Sequence, residues 1–237
     1  MTEQTTFSIV IPVFNEKEIL SELYKRLTSV MNGLGEPYEI IFVNDGSNDG
    51  SLELMKTLHL QDNRVKIINF SRNFGHQIAI SAGLDHSSGE AVVIMDADLQ
   101  DPPEVIPQFA EKWKEGFDVV YGIRRRRGNL FKRVSYKIFY RILSRISNIP
   151  IPEESGDFSL LNRRVVEAIK SAKERNRFVR GIRSWVGFNQ IGVEYERPVR
   201  MGGEPKYTLI KLIKLALDSF FAFSWMPLRL STYVIYD

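Results

Sequence analysis

Apolar residues recur along the chain in two rhythms. Five short runs rich in β-branched residues, Phe7–Val13, Glu39–Val43, Val65–Phe70, Ala91–Met95 and Asp118–Tyr121, have the length and composition of buried strands. Between them, Glu16–Leu34, Asp49–Leu60, Gly75–His86 and Glu104–Glu115 carry apolar residues at three- and four-residue spacing, the pattern of helices with one buried face. The alternation predicts an α/β fold with a mostly parallel central sheet and helices on both faces. Such sheets bind ligands beyond the carboxyl ends of their strands, near a switch in strand order. Chemistry is therefore expected in the residues just after each run.

Those residues are polar and small at four strand ends. "PVFNE" (Pro12–Glu16) follows the first run and "NDGSNDGS" (Asn44–Ser51) the second. "SRNFGHQ" (Ser71–Gln77) follows the third and "DADLQD" (Asp96–Asp101) the fourth. Each alone reads equally as turn or cap chemistry, and Asp49 in particular reads as the N-cap of the next helix. Four on one rim point to a ligand site. No Gly-x-Gly-x-x-Gly follows the first run and no Walker A loop occurs, which argues against a Rossmann dinucleotide site and a P-loop.

The second half has another character. Lys132–Ile146 reads as an amphipathic helix with Arg133, Lys137, Arg141 and Arg145 at every fourth position. "NIPIPEESGDFSLLNR" then breaks the helix and delivers Asp157 on a short strand or turn, and Arg175, Arg177, Arg180 and Arg183 form a second basic cluster. Tyr207–Trp225 reads as a helix whose apolar arc is unusually wide, suited to a membrane interface or to packing between subunits.

Charge adds to this picture. The net charge is +3, yet residues 1–123 hold 9 Lys/Arg against 19 Asp/Glu, and residues 124–200 hold 19 against 7. Such an asymmetry fits either two binding tasks or pairing between halves of one fold. There is no cysteine, which removes disulfides and thiolate metal sites. The N-terminal segment lacks the features of a signal peptide, and no apolar stretch reaches the roughly 18 residues of a membrane span.

Asp96 and Asp98 stand two apart at a strand end, so both side chains can leave on one side. Held close and unpaired they would raise each other's pKa. A hard divalent cation removes that cost, and Mg²⁺ or Mn²⁺ prefers oxygen ligands. The alternative is that one aspartate caps the turn and the other is solvated.

"IVIPVFNE", "VNDGSNDGS", "SRNFGHQ", "AGLDHSSGEAVVIMDADLQDPPE" and "GDFSLLNR" occur in this order. Together they resemble the family 2 glycosyltransferases with a GT-A fold, and more narrowly the polyisoprenyl-phosphate glycosyltransferases. The resemblance covers about residues 6–207. It implies inverting transfer of a sugar, with glucose from UDP-glucose the best expectation, to a polyprenyl phosphate such as undecaprenyl phosphate. GDP-mannose as donor, or a saccharide hydroxyl as acceptor, are the alternatives. It further implies that Pro12, Phe14, Glu16, Asp45 and Asp96 contact the nucleotide-sugar. Asp96, Asp98 and Gln100 would hold Mg²⁺ or Mn²⁺, with Asp98 and Asp157 catalytic and Asp157 on the acceptor side. Arg124, Arg127, Arg200 and Lys206 would bind phosphate.

On this reading residues 1–205 form the catalytic domain. Residues 206–237 form an amphipathic juxtamembrane segment leading toward a transmembrane region, with the catalytic domain on the cytoplasmic face of the inner membrane. The Phe-rich helix also favours association between copies. A nucleic-acid partner is not expected, because "RRRR" (Arg124–Arg127) has no aromatic residues interleaved with it.

Overall fold

Why the polar segments converge follows from the order of the strands. The computed structural model describes residues 5–125, 155–172 and 179–196, all within one compact unit. Strands β1 (Phe7–Val13), β2 (Tyr38–Asn44), β3 (Val65–Asn69), β4 (Ala91–Ile94), β5 (Val119–Arg125), β6 (Ser155–Asn162) and β7 (Gln190–Glu196) form one sheet in the order β3-β2-β1-β4-β6-β5-β7. The chain steps outward from β1 to β2 to β3, then returns to place β4 on the other side of β1. The switch point thus lies between the ends of β1 and β4.

The five strands read from the sequence form within a residue or two at their ends, except β5, which runs on to Arg125. The rest of the sheet departs from the parallel pattern. β6 is a full strand, antiparallel to both β4 and β5, and β7 adds a parallel edge beside β5. Because β6 runs backwards, its first residues stand on the same rim as the last residues of β4 and β5.

The helices α1 (Lys17–Leu34), α2 (Ser51–Gln61), α3 (His76–His86), α4 (Ile106–Lys114), α5 (Arg163–Ser171) and α6 (Val179–Trp185) cover both faces. Neighbouring strand residues point to opposite faces. Ile9 and Ile11 therefore pack with Leu20, Leu23, Leu27, Met55 and Phe109 of α1, α2 and α4. Val10 packs on the other face with Ile80, Leu84, Val165 and Ile182 of α3, α5 and α6. Each such fully buried side chain contributes about 1.5–3 kcal/mol. Among the described residues no helix is long and apolar enough to cross a membrane. The expected helices at Lys132–Ile146 and Tyr207–Trp225 lie outside the described residues.

Asp49 is one residue early to be the cap of α2; that position belongs to Gly50. Its Oδ1 accepts from the Ser51 N–H at 2.9 Å, and its Oδ2 accepts from the Lys17 N–H at 3.0 Å. The Asn15 and Glu16 N–H groups donate to the Ser47 and Ser51 hydroxyls at 3.0 and 3.1 Å. The "DGSNDGS" loop thus satisfies the amide groups leading into α1, which would otherwise lack partners.

At the opposite end of the sheet the Glu39 carboxylate is buried. It accepts from the Ser8 hydroxyl at 2.5 Å and from the Ser88 N–H and hydroxyl at 2.8 Å each, and it pairs with Lys66. Burial pushes this carboxyl up, but the bonds from Lys66, Ser8 and Ser88 outweigh it and leave its pKa below the ordinary value. A carboxyl whose folded pKa is depressed contributes stability above its unfolded pKa of about 4.3, and that stability is lost as pH falls through the folded value. Glu39→Gln should therefore cost about 1–3 kcal/mol at pH 7, with the gap from the parent protein narrowing below about pH 4. Denaturant melts across pH measure both; a gap independent of pH would contradict the assignment.

Candidate active site

β4 ends at Ile94, and the next six residues build one wall of the rim. Met95, Ala97 and Leu99 are buried, whereas Asp96, Asp98 and Gln100 between them are partly exposed. Strand-like alternation thus puts the three oxygen-bearing side chains expected to hold a metal on the solvent side. The turn is tight: Asp98 Oδ1 accepts from the Gln100 N–H at 3.1 Å, and Leu99 takes a left-handed conformation with φ 56°. That conformation costs a non-glycine residue roughly 1–2 kcal/mol, which burial of the leucine side chain offsets.

β6 builds the facing wall. Val93 pairs with Leu160 and Ile94 with Ser159. Carried two residues further, this register sets Asp96 opposite Asp157. Asp157 is held by several donors. Arg180 Nε lies 3.4 Å from its Oδ1 and Arg180 Nη2 lies 3.3 Å from its Oδ2. Gln77 Nε2 donates to Oδ2 at 3.3 Å. Behind it the Arg183 guanidinium, only 1% exposed, donates to the Gly156 carbonyl at 3.3 Å.

Burial pushes the Asp157 carboxyl up, but Arg180, His76 and Arg183 outweigh it and hold it well below the usual carboxylate range. Asp96 moves the other way. Burial, together with crowding by Asp101, Asp157 and Asp98, pushes it up to about 6 against the pull of His76. One carboxylate is thus a settled anion, and its neighbour is strained by its own charge.

His76 stands between them. Its Nε2 lies 3.5 Å from Asp96 Oδ1 and 3.4 Å from Asp157 Oδ2. Burial opposes charging the ring, but Asp157 and Asp96 prevail and raise its pKa to about 9.

Asp101 does not join the exposed row. It is fully buried, accepts from the Tyr195 hydroxyl, and lies 3.4 Å from Arg124 Nη2. Arg124 Nε in turn donates to the Tyr195 hydroxyl at 3.2 Å. Burial and the adjacent Asp101 push the Tyr195 phenol up; burial works against the Arg124 charge, but Asp101 more than restores it. Arg124 reaches this position by crossing Gly156, where a Cβ would stand 2.6 Å from Nη2. Gly156→Ala should displace Arg124 and lower activity about 10-fold with little change in thermal stability. Unchanged kinetics would mean that the arginine's placement is irrelevant.

The remaining expected residues fall as follows. Pro12 is buried in β1, while Phe14 is 37% exposed and Glu16 half-buried at the start of α1. Asp45, 3% exposed at the end of β2, accepts from the Phe74 N–H at 2.7 Å and the Gly75 N–H at 3.0 Å. Its carboxylate therefore already anchors the loop entering α3. Arg127, Arg200 and Lys206 lie outside the described residues, as do Arg175 and Arg177.

Of the second basic cluster, Arg180 and Arg183 lie among the described residues. Arg180 turns onto Asp157 and Arg183 is buried, because the acid on β6 needs counter-charge. Sequence reasoning assigned no role to His76, Gln77 or Tyr195. The quoted "SRNFGHQ" flagged the first two only as a polar strand end.

The profile of glycosyl transferase family 2 matches residues 8–170. The chain belongs to this family. It is 52% identical over 235 residues to the uncharacterized glycosyltransferase YkcC of Bacillus subtilis, covering 98% of this chain and 73% of that protein. To the bactoprenol glucosyl transferase of Shigella phage SfV it is 44% identical over 229 residues, covering 96% and 75%. The fold matches glucosyl-3-phosphoglycerate synthase from Mycobacterium tuberculosis, solved with Mn²⁺, UDP and glucosyl-3-phosphoglycerate. The TM-score is 0.62 at 16% identity, over 93% of this chain and 80% of that one. The family 2 chain is thus a glycosyltransferase of GT-A type, with a mostly parallel central sheet in which the antiparallel β6 lies between β4 and β5.

Proposed function

We propose that this family 2 enzyme transfers glucose from UDP-glucose to a polyprenyl phosphate such as undecaprenyl phosphate, with inversion, at the cytoplasmic face of the membrane. The observation that carries this reading is the approach of Asp96, just beyond β4, and Asp157, on β6, to one His76 nitrogen, with Arg124 held by Asp101 on the same rim. Similarity to bactoprenol glucosyl transferases over nearly the whole chain supports the sugar and the lipid.

The donor set fits a hard divalent cation. Asp96, Asp98 and Gln100 offer only oxygen, and the raised pKa of Asp96 marks a charge that a cation would relieve. Among the described residues no group of three or more acidic or histidine side chains forms a cage. Mg²⁺ commonly takes one or two carboxylates and fills its shell with water and substrate phosphates. Such an ion, when bound, would neutralise charge on the departing diphosphate.

The chain's own groups do the rest. An acceptor phosphate oxygen attacks the anomeric carbon, the bond to the UDP oxygen breaks, and its electron pair leaves with UDP. A phosphate monoester has its second pKa near about 6, so the nucleophile is already an anion at neutral pH and needs no strong base. Asp157 orients the acceptor side through Arg180 and His76. Arg124, braced by Asp101 and Tyr195, offers a fixed guanidinium to phosphate. Arg127, Arg200 and Lys206 are proposed to add cations around it, and Phe14, Pro12, Glu16 and Asp45 to line the nucleoside end.

The test is an extraction assay with the full chain, labelled UDP-glucose, undecaprenyl phosphate and Mg²⁺ or Mn²⁺. Label should enter the organic phase, and a chelator should stop it. No labelled lipid from UDP-glucose, GDP-mannose or UDP-N-acetylglucosamine would overturn the reading. Label in soluble saccharides without lipid would move the acceptor to a sugar hydroxyl.

A further inference from the structure

We infer that His76 is a positioning residue for transfer: it ties the donor-side carboxylate of Asp96 to the acceptor-side carboxylate of Asp157 and so sets the distance between the two halves of the reaction. This inference rests on the proposed roles of those two aspartates. Its geometric basis is the short reach of one imidazole nitrogen to both acids, 3.5 Å to Asp96 Oδ1 and 3.4 Å to Asp157 Oδ2. Two carboxylates that meet one imidazole nitrogen lie close enough to repel each other. A single donor between them replaces repulsion with a shared contact.

The position of the ring is itself well fixed. His76 is the first residue of α3, directly after Gly75. The Gly75 and Phe74 N–H groups donate to Asp45 at the end of β2. The next residue, Gln77, donates to Asp157 and accepts from the Val179 N–H at 3.0 Å, which joins α3 to α6. A continuous set of contacts therefore runs from Asp45, at the proposed nucleoside end, through His76 to Asp157 and Arg180. The His76 side chain is 35% exposed, so the ring is reachable from solvent.

The consequence is specific. Removing the imidazole leaves both aspartates in the chain but releases their mutual alignment. The loss should appear in the transfer step and not in capture of the nucleotide. A misplacement of about 1 Å in a reacting pair lowers rate by about 100-fold.

The experiment uses the full chain as parent, His76→Ala and His76→Gln, with UDP-glucose, Mn²⁺ and undecaprenyl phosphate in detergent. For His76→Ala, kcat should fall about 100-fold, while calorimetric binding of UDP with Mn²⁺ changes less than about threefold. Added imidazole should restore part of the alanine variant's rate. His76→Gln, which keeps a donor of similar reach, should lie between the two and guards against a folding failure of the alanine variant.

Crystal structures of parent and variant supply a readout independent of turnover. In crystals without metal, Asp96 should leave its parental rotamer in His76→Ala. Parental kcat in both variants, or a loss confined to the KM for UDP-glucose, overturns the inference, as do unmoved carboxylates. A parent protein that makes no glucolipid while Asp96 still shifts in the variant would instead count against the proposed function.

Discussion

Asp96→Asn combined with Asp98→Asn should lower glucosyl transfer by about 1,000-fold or more and abolish Mn²⁺-dependent binding of UDP. The double change removes both charges from the exposed row while keeping side-chain shape, so the turn held by the Gln100 N–H persists. Stabilising charge on a leaving diphosphate is worth several kcal/mol, which corresponds to a factor of this size. Thermal stability should move in the opposite direction. Asp96 is crowded by Asp98, Asp101 and Asp157, and a neutral amide there relieves repulsion among these closely placed acids. A melting scan without metal should place the variant at or above the parent. Initial rates of lipid labelling and calorimetry with UDP and Mn²⁺ decide the matter. Retention of parental turnover would remove the metal assignment.

Asp157→Asn is expected to lower kcat about 100-fold, for a reason other than loss of a base. The carboxylate is engaged by Arg180, His76 and Gln77, with Arg183 buried behind it. Neutralising it leaves those cations facing one another, and breaking such a buried arrangement costs about 3–5 kcal/mol of stability. The pH profile separates the two roles. Because the Asp157 carboxyl is held well below the usual range, it stays ionised throughout the working pH. The acid limb of the rate should instead follow the acceptor phosphate, whose second ionisation lies near about 6. That limb should survive in Asp157→Asn. If it vanishes in the variant, Asp157 takes a proton after all and the orienting role is wrong.

β1, β2 and β4 were legible because both of their faces are buried, and α1 to α4 because each buries one face at helical spacing, so burial writes its period into the sequence. β7 was not. Gln190–Glu196 is an edge strand of mostly half-buried residues, and its single deeply buried tyrosine, Tyr195, carries no period. β6 appeared only as the local setting of Asp157, since direction within a sheet depends on partners far away in the chain. The same holds for the site. Asp96, Asp98 and Gln100 lie in one stretch and could be read together. Asp101 sits 94 residues from Tyr195, and Gln77 sits 80 from Asp157, so no spacing announces either contact. Arg183 reads in the sequence only as a member of a basic cluster, because the β6 segment it backs lies elsewhere in the chain.

The reversed course of β6 has a further consequence for how such an enzyme can diversify. β5 ends and β6 begins on the same rim, so Arg124 and Asp157 stand together although both come after the other strand ends of that rim in sequence. β1 to β4, with the "NDGSNDGS" loop and the acidic row, are complete before β5 begins. Substitutions on β5 and β6 can therefore change one side of the rim while the ends of β1 to β4 are inherited unchanged.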